Sequence, residues 1–159
     1  EALSQAPEQE RDAFVPALHG MLGRLVTFPV PTVAALNGHS FAGGAILALA
    51  FDYRVMRTGR GWYCLPEIDL PMPFTEPMLA LLKAKMRTEV LRDALLLGRR
   101  YTAEEALAAG LVDGVGEQEQ LQALAEETLA PLAPKGRSIF KRFKQDLYGE
   151  LAQGFGYEG

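Results

Sequence analysis

Cysteine is nearly absent from this chain, because its 159 residues include a single one, Cys64. One cysteine excludes an internal disulfide and favours a reducing compartment, and with it a cytoplasmic location. Histidine is almost as scarce, with only His19 and His39. These three residues show neither the CxxC nor the HxxxH spacing that is typical of metal ligands, so no metal site is expected.

Long apolar runs are also missing. The longest covers residues 45–51 and is far shorter than the ~20 residues of a membrane-spanning helix, so no membrane partner is expected. The first residues lack the basic and apolar regions of a secretory signal. The formal net charge is -4 with both signs interspersed, which argues against nucleic acid as a partner. Only residues 135–144 are locally basic.

The residues that are present alternate between helical and strand patterns. Apolar residues at three- to four-residue spacing predict helices over residues 11–28, 76–86, 88–97, 117–132 and 138–151. Residues 45–51 are apolar on every side, which predicts a buried helix. Thr102 and Glu105 match a capping box, and Gly110 supplies the end of that helix. Short apolar runs predict a buried strand at residues 33–36, two strands around residues 58–61, and a short one in residues 111–115. The alternation indicates an α/β protein.

A glycine-rich turn in residues 37–44 lies between a predicted strand and a predicted helix. N–H groups at a helix start have no partner within the helix and can bind an anion, and glycines let the anion come close because they have no side chain. The run also resembles a G-x-S-x-G nucleophile elbow with Ser40 as the nucleophile, but both histidines lie upstream of it, contrary to that motif. It matches neither the dinucleotide fingerprint nor the P-loop. A tight turn that needs small residues only for packing is the remaining interpretation.

Three segments together resemble the crotonase (enoyl-CoA hydratase/isomerase) superfamily, in that family's order and spacing. They are residues 34–52 (AALNGHSFAGGAILALAFD), 65–70 (LPEIDL) and 99–113 (RRYTAEEALAAGLVD). The resemblance implies an α/β fold with a crotonase-like ββα superhelix core and a helical C-terminal region. Residues 1–115 would be the C-terminal part of the core, and residues 116–159 a helical oligomerisation region. It also implies that the sequence is N-terminally incomplete, because the family has several strands before the first helix predicted here.

The resemblance implies two catalytic residues. The Gly43 N–H would be one of two donors that stabilise the enolate of an acyl-CoA thioester, and the other donor would come from the segment before this sequence. Glu67 would be the acid/base residue. The family's hydratases carry a second glutamate where this chain has Ile46. A single carboxylate suits the Δ3,Δ2-enoyl-CoA isomerase branch, because one base can move a proton from C2 to C4.

The same resemblance implies further features of the site and the assembly. The implied substrate-binding residues are Asn37, Gly38, Ala42, Gly44 and Ile46. No cofactor is implied, since the acyl-CoA is the substrate, and the assembly would be a homotrimer or a dimer of trimers. The alternatives are a hydratase, another crotonase-type lyase or decarboxylase, or a non-catalytic binding or oligomerisation module.

Several other side chains have competing interpretations. Asp69 and Glu76 are rival bases, and Asp69 would share a strand face with Glu67 if the strand persists. The basic residues Lys141, Arg142 and Lys144 could meet CoA phosphates, although a solvated helix face is the simpler interpretation. The aromatic residues Trp62, Tyr63 and Phe74 could line an acyl tunnel or pack in the core.

Overall fold

The computed structural model describes residues 7–70 and 73–158. These residues form seven α-helices and five short strands. The helices are α1 (Glu8–Val26), α2 (Gly43–Ala50), α3 (Glu76–Lys85), α4 (Thr88–Leu97), α5 (Ala103–Ala109), α6 (Leu121–Leu129) and α7 (Arg137–Gly154). The strands are β1 (Val33–Leu36), β2 (Ser40–Phe41), β3 (Tyr53–Arg57), β4 (Tyr63–Cys64) and β5 (Gly114–Gly116). Strands and helices alternate, as the α/β prediction required.

The strands form two small parallel sheets. One has the order β1-β3-β5, with Val33 opposite Tyr53 and Val55 opposite Gly114, and the other pairs β2 with β4. The prediction of a buried strand at residues 33–36 was wrong in its burial, because β1 lies at the edge of its sheet among the described residues. Only Ala34 of this strand is buried, and Ala35 is exposed.

The two strands predicted around residues 58–61 are confirmed, but they belong to different sheets and do not form a hairpin. The turn between them depends on Gly61, which has φ of 96°. A Cβ on Gly61 would lie 2.5 Å from the backbone of Gly38. This close approach brings β4 alongside the glycine-rich turn that follows β1.

The helix signals near the middle of the sequence are confirmed closely. At α5, Thr102 accepts a hydrogen bond from the Glu105 N–H, and the Glu105 side chain accepts one from the Thr102 N–H. Gly110 ends the helix in the left-handed conformation, with φ of 71°. The single helix predicted over residues 117–132 is instead α6 flanked by two 3₁₀ turns, Gln118–Gln120 and Ala130–Leu132.

Helix α2 is the centre of the core. Five of its eight residues are buried, namely Ala45, Ile46, Ala48, Leu49 and Ala50. It packs against α1 and α3, and α7 covers both of these helices. Among the described residues, no helix combines the length and the apolar character needed to cross a bilayer.

The interpretation of the basic residues on α7 as one solvated face was wrong for Lys144. Its side chain is 5% exposed, and its Nζ donates to Asp52 Oδ2 at 2.8 Å and to the Val30 carbonyl at 3.3 Å. Asp52 also accepts hydrogen bonds from the N–H and the hydroxyl of Thr32. Lys141 and Arg142 are exposed, as that interpretation required. Lys144 is therefore a structural residue that attaches the last helix to the end of α2.

Candidate active site

An apolar cavity of about 200 Å³ opens between α1, the start of α2 and the start of α3. Its lining residues are Phe14, Val15, Leu18, Ala42, Gly43, Ile46, Glu67, Leu70, Pro73, Phe74, Thr75 and Met78. Four residues predicted from the sequence, Ala42, Gly43, Ile46 and Glu67, therefore meet at one place. Glu67 is the sole titratable side chain among the described residues of this lining.

The turn into α2 is strained at Ala42. With φ of 48° and ψ of −121°, Ala42 is the one non-glycine residue of positive φ in the described part of the chain. Such a conformation costs of order 1–3 kcal/mol and persists only where the surroundings enforce it. Strand β4 does so, because the Ala42 N–H donates to the Cys64 carbonyl at 3.1 Å and the Ser40 N–H donates to the Trp62 carbonyl at 2.9 Å. The pairing of β2 with β4 thus determines where α2 begins.

Gly43 is the first residue of α2, so its N–H has no carbonyl four residues back within the helix to bind. The partial positive charge of the helix start also favours an anion there. A Cβ built on Gly43 would meet nothing within 4 Å. Glycine at this position keeps space open beside the N–H. Packing alone does not require a glycine here. This arrangement can bind an oxyanion in the cavity.

Glu67 lies in a 3₁₀ turn, Pro66–Ile68, and not on a continuation of strand β4. Pro66 lacks an N–H and begins this turn after Leu65, the residue that follows β4. Asp69 would have shared a strand face with Glu67 only if the strand persisted; it does not persist, and Asp69 is exposed. Neither Asp69 nor Glu76 lines the cavity.

The Glu67 carboxylate is poorly solvated. Its Oε2 is buried and has no hydrogen-bond partner among the described residues. Burial raises the pKa of Glu67 above its usual value of 4.5, and a hydrogen bond to its own backbone opposes this effect. A carboxylate that is partly desolvated in an apolar wall is a stronger base than one in water.

Ile46 forms the interior part of the cavity wall. It is 3% exposed and lies one helical turn after Gly43. Its apolar side chain leaves the Glu67 carboxylate without a second acid/base group in the described lining. The cavity can therefore support proton transfer by one carboxylate next to an oxyanion donor.

Three predicted substrate-binding residues, Asn37, Gly38 and Gly44, lie outside this lining. Asn37 and Gly44 are exposed, and Gly38 contacts Gly61. Their role in substrate binding stays a prediction, and it would concern parts of the substrate outside the cavity.

Most of the other candidate residues pack against neighbouring side chains and do not line the cavity. Ser40, the candidate nucleophile, is buried at 4% exposure and does not reach the cavity. The exposed His39 packs its ring against Phe41 and Trp62. Tyr63 is 1% exposed and packs in the core, whereas Phe74 lines the cavity.

Helix α1 contributes a wall of the cavity that its sequence does not reveal. Phe14 and Leu18 belong to the apolar spacing that predicts a helix over residues 11–28, but that pattern does not distinguish core packing from a cavity lining. Thr75 was not predicted either, and its hydroxyl lies 2.9 Å from Nε2 of His19 at the edge of the cavity. His19 and Thr75 are 56 residues apart, so no local pattern relates them.

Comparison with known proteins identifies similar chains. The sequence profile of the enoyl-CoA hydratase/isomerase family matches residues 1–153. Two Arabidopsis thaliana proteins are similar: "Enoyl-CoA delta isomerase 2, peroxisomal" is 37% identical over 143 residues, and "Enoyl-CoA delta isomerase 3" is 35% identical over 139 residues. The matches cover 87% and 84% of this chain, and 60% and 58% of those proteins.

A solved structure is similar in fold as well. The human mitochondrial delta3-delta2-enoyl-CoA isomerase is 28% identical, with a TM-score of 0.80 over 89% of this chain and 55% of the human chain. The chain thus spans about 60% of the length of the plant proteins and slightly less of the human one.

Proposed function

Since the chain belongs to the enoyl-CoA hydratase/isomerase family, we propose that the full-length protein moves the double bond of a 3-enoyl-CoA to the trans-2 position. The observation that carries this proposal is that Glu67 supplies the one carboxylate among the described residues of the cavity lining. Glu67 shares an apolar lining with the free Gly43 N–H, and Ile46 replaces a second carboxylate. Isomerisation needs one base, whereas hydration also requires the activation of a water molecule.

The proposed reaction is a proton transfer along the acyl chain. The Glu67 carboxylate takes the proton from C2, and the electron pair of that C–H bond moves into a dienolate whose charge lies on the thioester oxygen. The Gly43 N–H donates to that oxygen, and a donor of this kind is worth ~3 to 4 kcal/mol in the transition state. Glu67 then returns the proton to C4, and the new double bond lies between C2 and C3. Proton and electrons balance without another reactant.

The apolar lining supports this mechanism in two ways. Burial raises the pKa of Glu67, which makes its carboxylate a better base for a weakly acidic carbon. Ile46 and the other apolar residues also keep water from the dienolate and from C3, so that addition of water is disfavoured.

The test is turnover of 3-enoyl-CoA by the full-length protein, with products identified by chromatography. We expect 2-enoyl-CoA from the wild type and a loss of roughly 10²- to 10⁴-fold in kcat for Glu67→Gln. Glu76→Gln is the matched control, because Glu76 is exposed and lies outside the cavity lining. An inert wild type, or a Glu67→Gln variant of full activity, would contradict the proposal.

The same assay distinguishes the alternatives. A 3-hydroxyacyl-CoA product from 2-enoyl-CoA would indicate a hydratase, and loss of carbon dioxide from a malonyl-type thioester would indicate a decarboxylase. Absence of acyl-CoA binding in calorimetry would favour a non-catalytic binding or oligomerisation module. The proposed reaction requires no cofactor.

We also propose that the protein assembles as a homotrimer or a dimer of trimers. An apolar stripe on α7 supports self-association: Ile139, Phe143 and Leu147 recur every four residues and are 45%, 58% and 70% exposed. Light scattering of the full-length protein measures its mass directly. The free thiol of Cys64 supports a reducing compartment, and we keep the cytoplasm as the proposed location.

A further inference from the structure

A hydrogen bond joins two walls of the cavity at its edge. His19 Nε2 and Thr75 Oγ1 are 2.9 Å apart. Helix α1, which carries His19, contributes three apolar residues to the cavity, Phe14, Val15 and Leu18. Thr75 itself lines the cavity, directly after Pro73 and Phe74 of the facing wall. The bond therefore links α1 to the segment that leads into α3.

Thr75 makes this bond instead of the one that its position favours. It is the N-cap residue of α3, where a threonine hydroxyl commonly accepts a hydrogen bond from the helix and stabilises it. The Thr75 side chain makes no such bond. Pro77 at the second helical position has no N–H to offer, but Met78 at the third has one. The hydroxyl is thus directed toward His19 and away from the helix.

The end of α7 also holds His19 in place. Its ring packs edge-on against Phe155 at the end of α7, with ring centres 5.3 Å apart and planes at 67°. Phe155 is 4% exposed and belongs to the core. Burial lowers the pKa of His19 below 6.5, which favours the neutral ring. The imidazole is therefore held in place, and its hydrogen bond attaches the wall formed by residues 73–75 to α1.

We propose that His19, through Thr75, is a positioning residue that sets the spacing between the two walls holding the acyl chain. The inference rests on the proposed function, because it concerns the width of the same cavity. Glu67 and Gly43 lie on other elements, the 3₁₀ turn after β4 and the start of α2. Loss of the link should weaken the binding of the acyl chain and leave proton transfer in the bound substrate nearly unchanged.

The experiment compares Thr75→Val, which removes the hydroxyl, with Thr75→Ser, which retains it, in the full-length protein. KM and kcat are measured on 3-enoyl-CoA substrates of short, medium and long acyl chain. One hydrogen bond of about 1 kcal/mol predicts a KM roughly three- to tenfold higher in Thr75→Val, with kcat within about twofold. We expect Thr75→Ser to resemble the wild type. His19→Leu should raise KM to a similar extent, and the double variant should be no worse than either single variant.

Thr128→Val is the matched control. Its hydroxyl donates to the Leu124 carbonyl within α6 at 2.7 Å, and neither residue lines the cavity. This variant should leave KM unchanged. The inference is overturned if Thr75→Val leaves KM unchanged, if it lowers kcat as much as it raises KM, or if the effects of His19→Leu and Thr75→Val add independently.

Binding of a fluorescent fatty acid measures the cavity without the reaction. If the wild type binds the probe, Thr75→Val weakens that binding and no variant turns over 3-enoyl-CoA, the proposed function fails and the wall link stands. If the wild type turns over substrate with the same KM as Thr75→Val, only the link fails. A wild type that neither binds the probe nor turns over substrate overturns both.

Discussion

A single residue, Glu67, combines reactivity with a cost to stability. Its Oε2 is buried without a hydrogen-bond partner among the described residues, and burial raises the pKa of this carboxyl. Between pH 4.5 and that raised pKa, the folded protein binds more protons than the unfolded chain. The stability that protonated Glu67 contributes is complete below pH 4.5 and is lost as pH rises through the folded pKa.

Replacement of Glu67 by glutamine should therefore stabilise the protein while it lowers kcat strongly. We expect Glu67→Gln to unfold at a higher temperature than the wild type at neutral pH, and the difference should shrink as pH falls toward 4.5. Thermal unfolding followed by circular dichroism at several pH values measures both effects. Glu76→Gln, at an exposed position, should show neither effect. A Glu67→Gln variant less stable than the wild type at neutral pH would contradict the argument.

At the scale of single residues, the sequence predicted which residues form the candidate site better than it predicted their backbone conformations. Motif position led to Glu67, Gly43, Ile46 and Ala42, and the structure brings these four together. The positive φ of Ala42 was not predictable, because alanine disfavours this region and the strain is imposed by β4.

At the scale of secondary-structure elements, the short strand β4 positions the start of α2 through a side chain as well as through its backbone hydrogen bonds. The hydroxyl of Tyr63 donates to the Ala45 carbonyl at 2.7 Å, and Tyr63 is 1% exposed. Ala45 belongs to the same helical turn as Gly43. Tyr63 thus connects the sheet to the turn that presents the proposed oxyanion donor.

Tyr63→Phe should impair both stability and catalysis. Removal of a buried hydroxyl that serves a backbone carbonyl should cost about 1–3 kcal/mol in the free energy of unfolding. We expect kcat to fall roughly tenfold with little change in KM, because a small displacement of Gly43 affects the transition state most. Denaturant unfolding and steady-state kinetics are the measurements. Tyr101→Phe, in the residue that bridges to Tyr63, is the control and should retain kcat. A fall in kcat that is the same in both variants would contradict this role of the Tyr63 hydroxyl.

Elements were predictable where their signals are local. Thr102, Glu105 and Gly110 begin and end α5 within residues 102–110, and the structure confirms each of them. Strand pairing was not predictable, since β2 and β4 find each other across an intervening helix and strand. The 3₁₀ turn at Glu67 was missed as well, because alternating residues after β4 resemble the continuation of a strand.

At the scale of the whole molecule, a largely buried ion pair attaches the last helix to the turn that follows α2. Lys144 and Asp52 are 92 residues apart, and their side chains are 5% and 18% exposed. This pair crosses the predicted boundary between residues 1–115 and 116–159, and that division stays a prediction. Lysine is seldom buried, so the sequence pattern placed Lys144 at the surface.

Lys144→Met should destabilise the folded chain strongly, because it leaves Asp52 charged without its partner. We expect a loss of about 3 kcal/mol in the free energy of unfolding, toward the lower limit for a broken buried pair because Thr32 still donates to Asp52. Chemical denaturation measures the loss. Lys141→Met, on the exposed part of the same helix, should have little effect. The double variant Asp52→Asn/Lys144→Met should recover part of the loss, and failure of Lys144→Met to destabilise would contradict the role of the pair.

The parallel strand order also bears on how the chain reaches this fold. Paired residues are 20 positions apart between β1 and β3, and 59 apart between β3 and β5. Parallel neighbours cannot meet through a short hairpin, so the entropy of loop closure must be overcome before their contacts form, and such chains fold slowly. During synthesis on the ribosome, β3 is complete long before β5 emerges. One side of that central strand therefore stays without its native partner until the nascent chain has grown by nearly sixty residues.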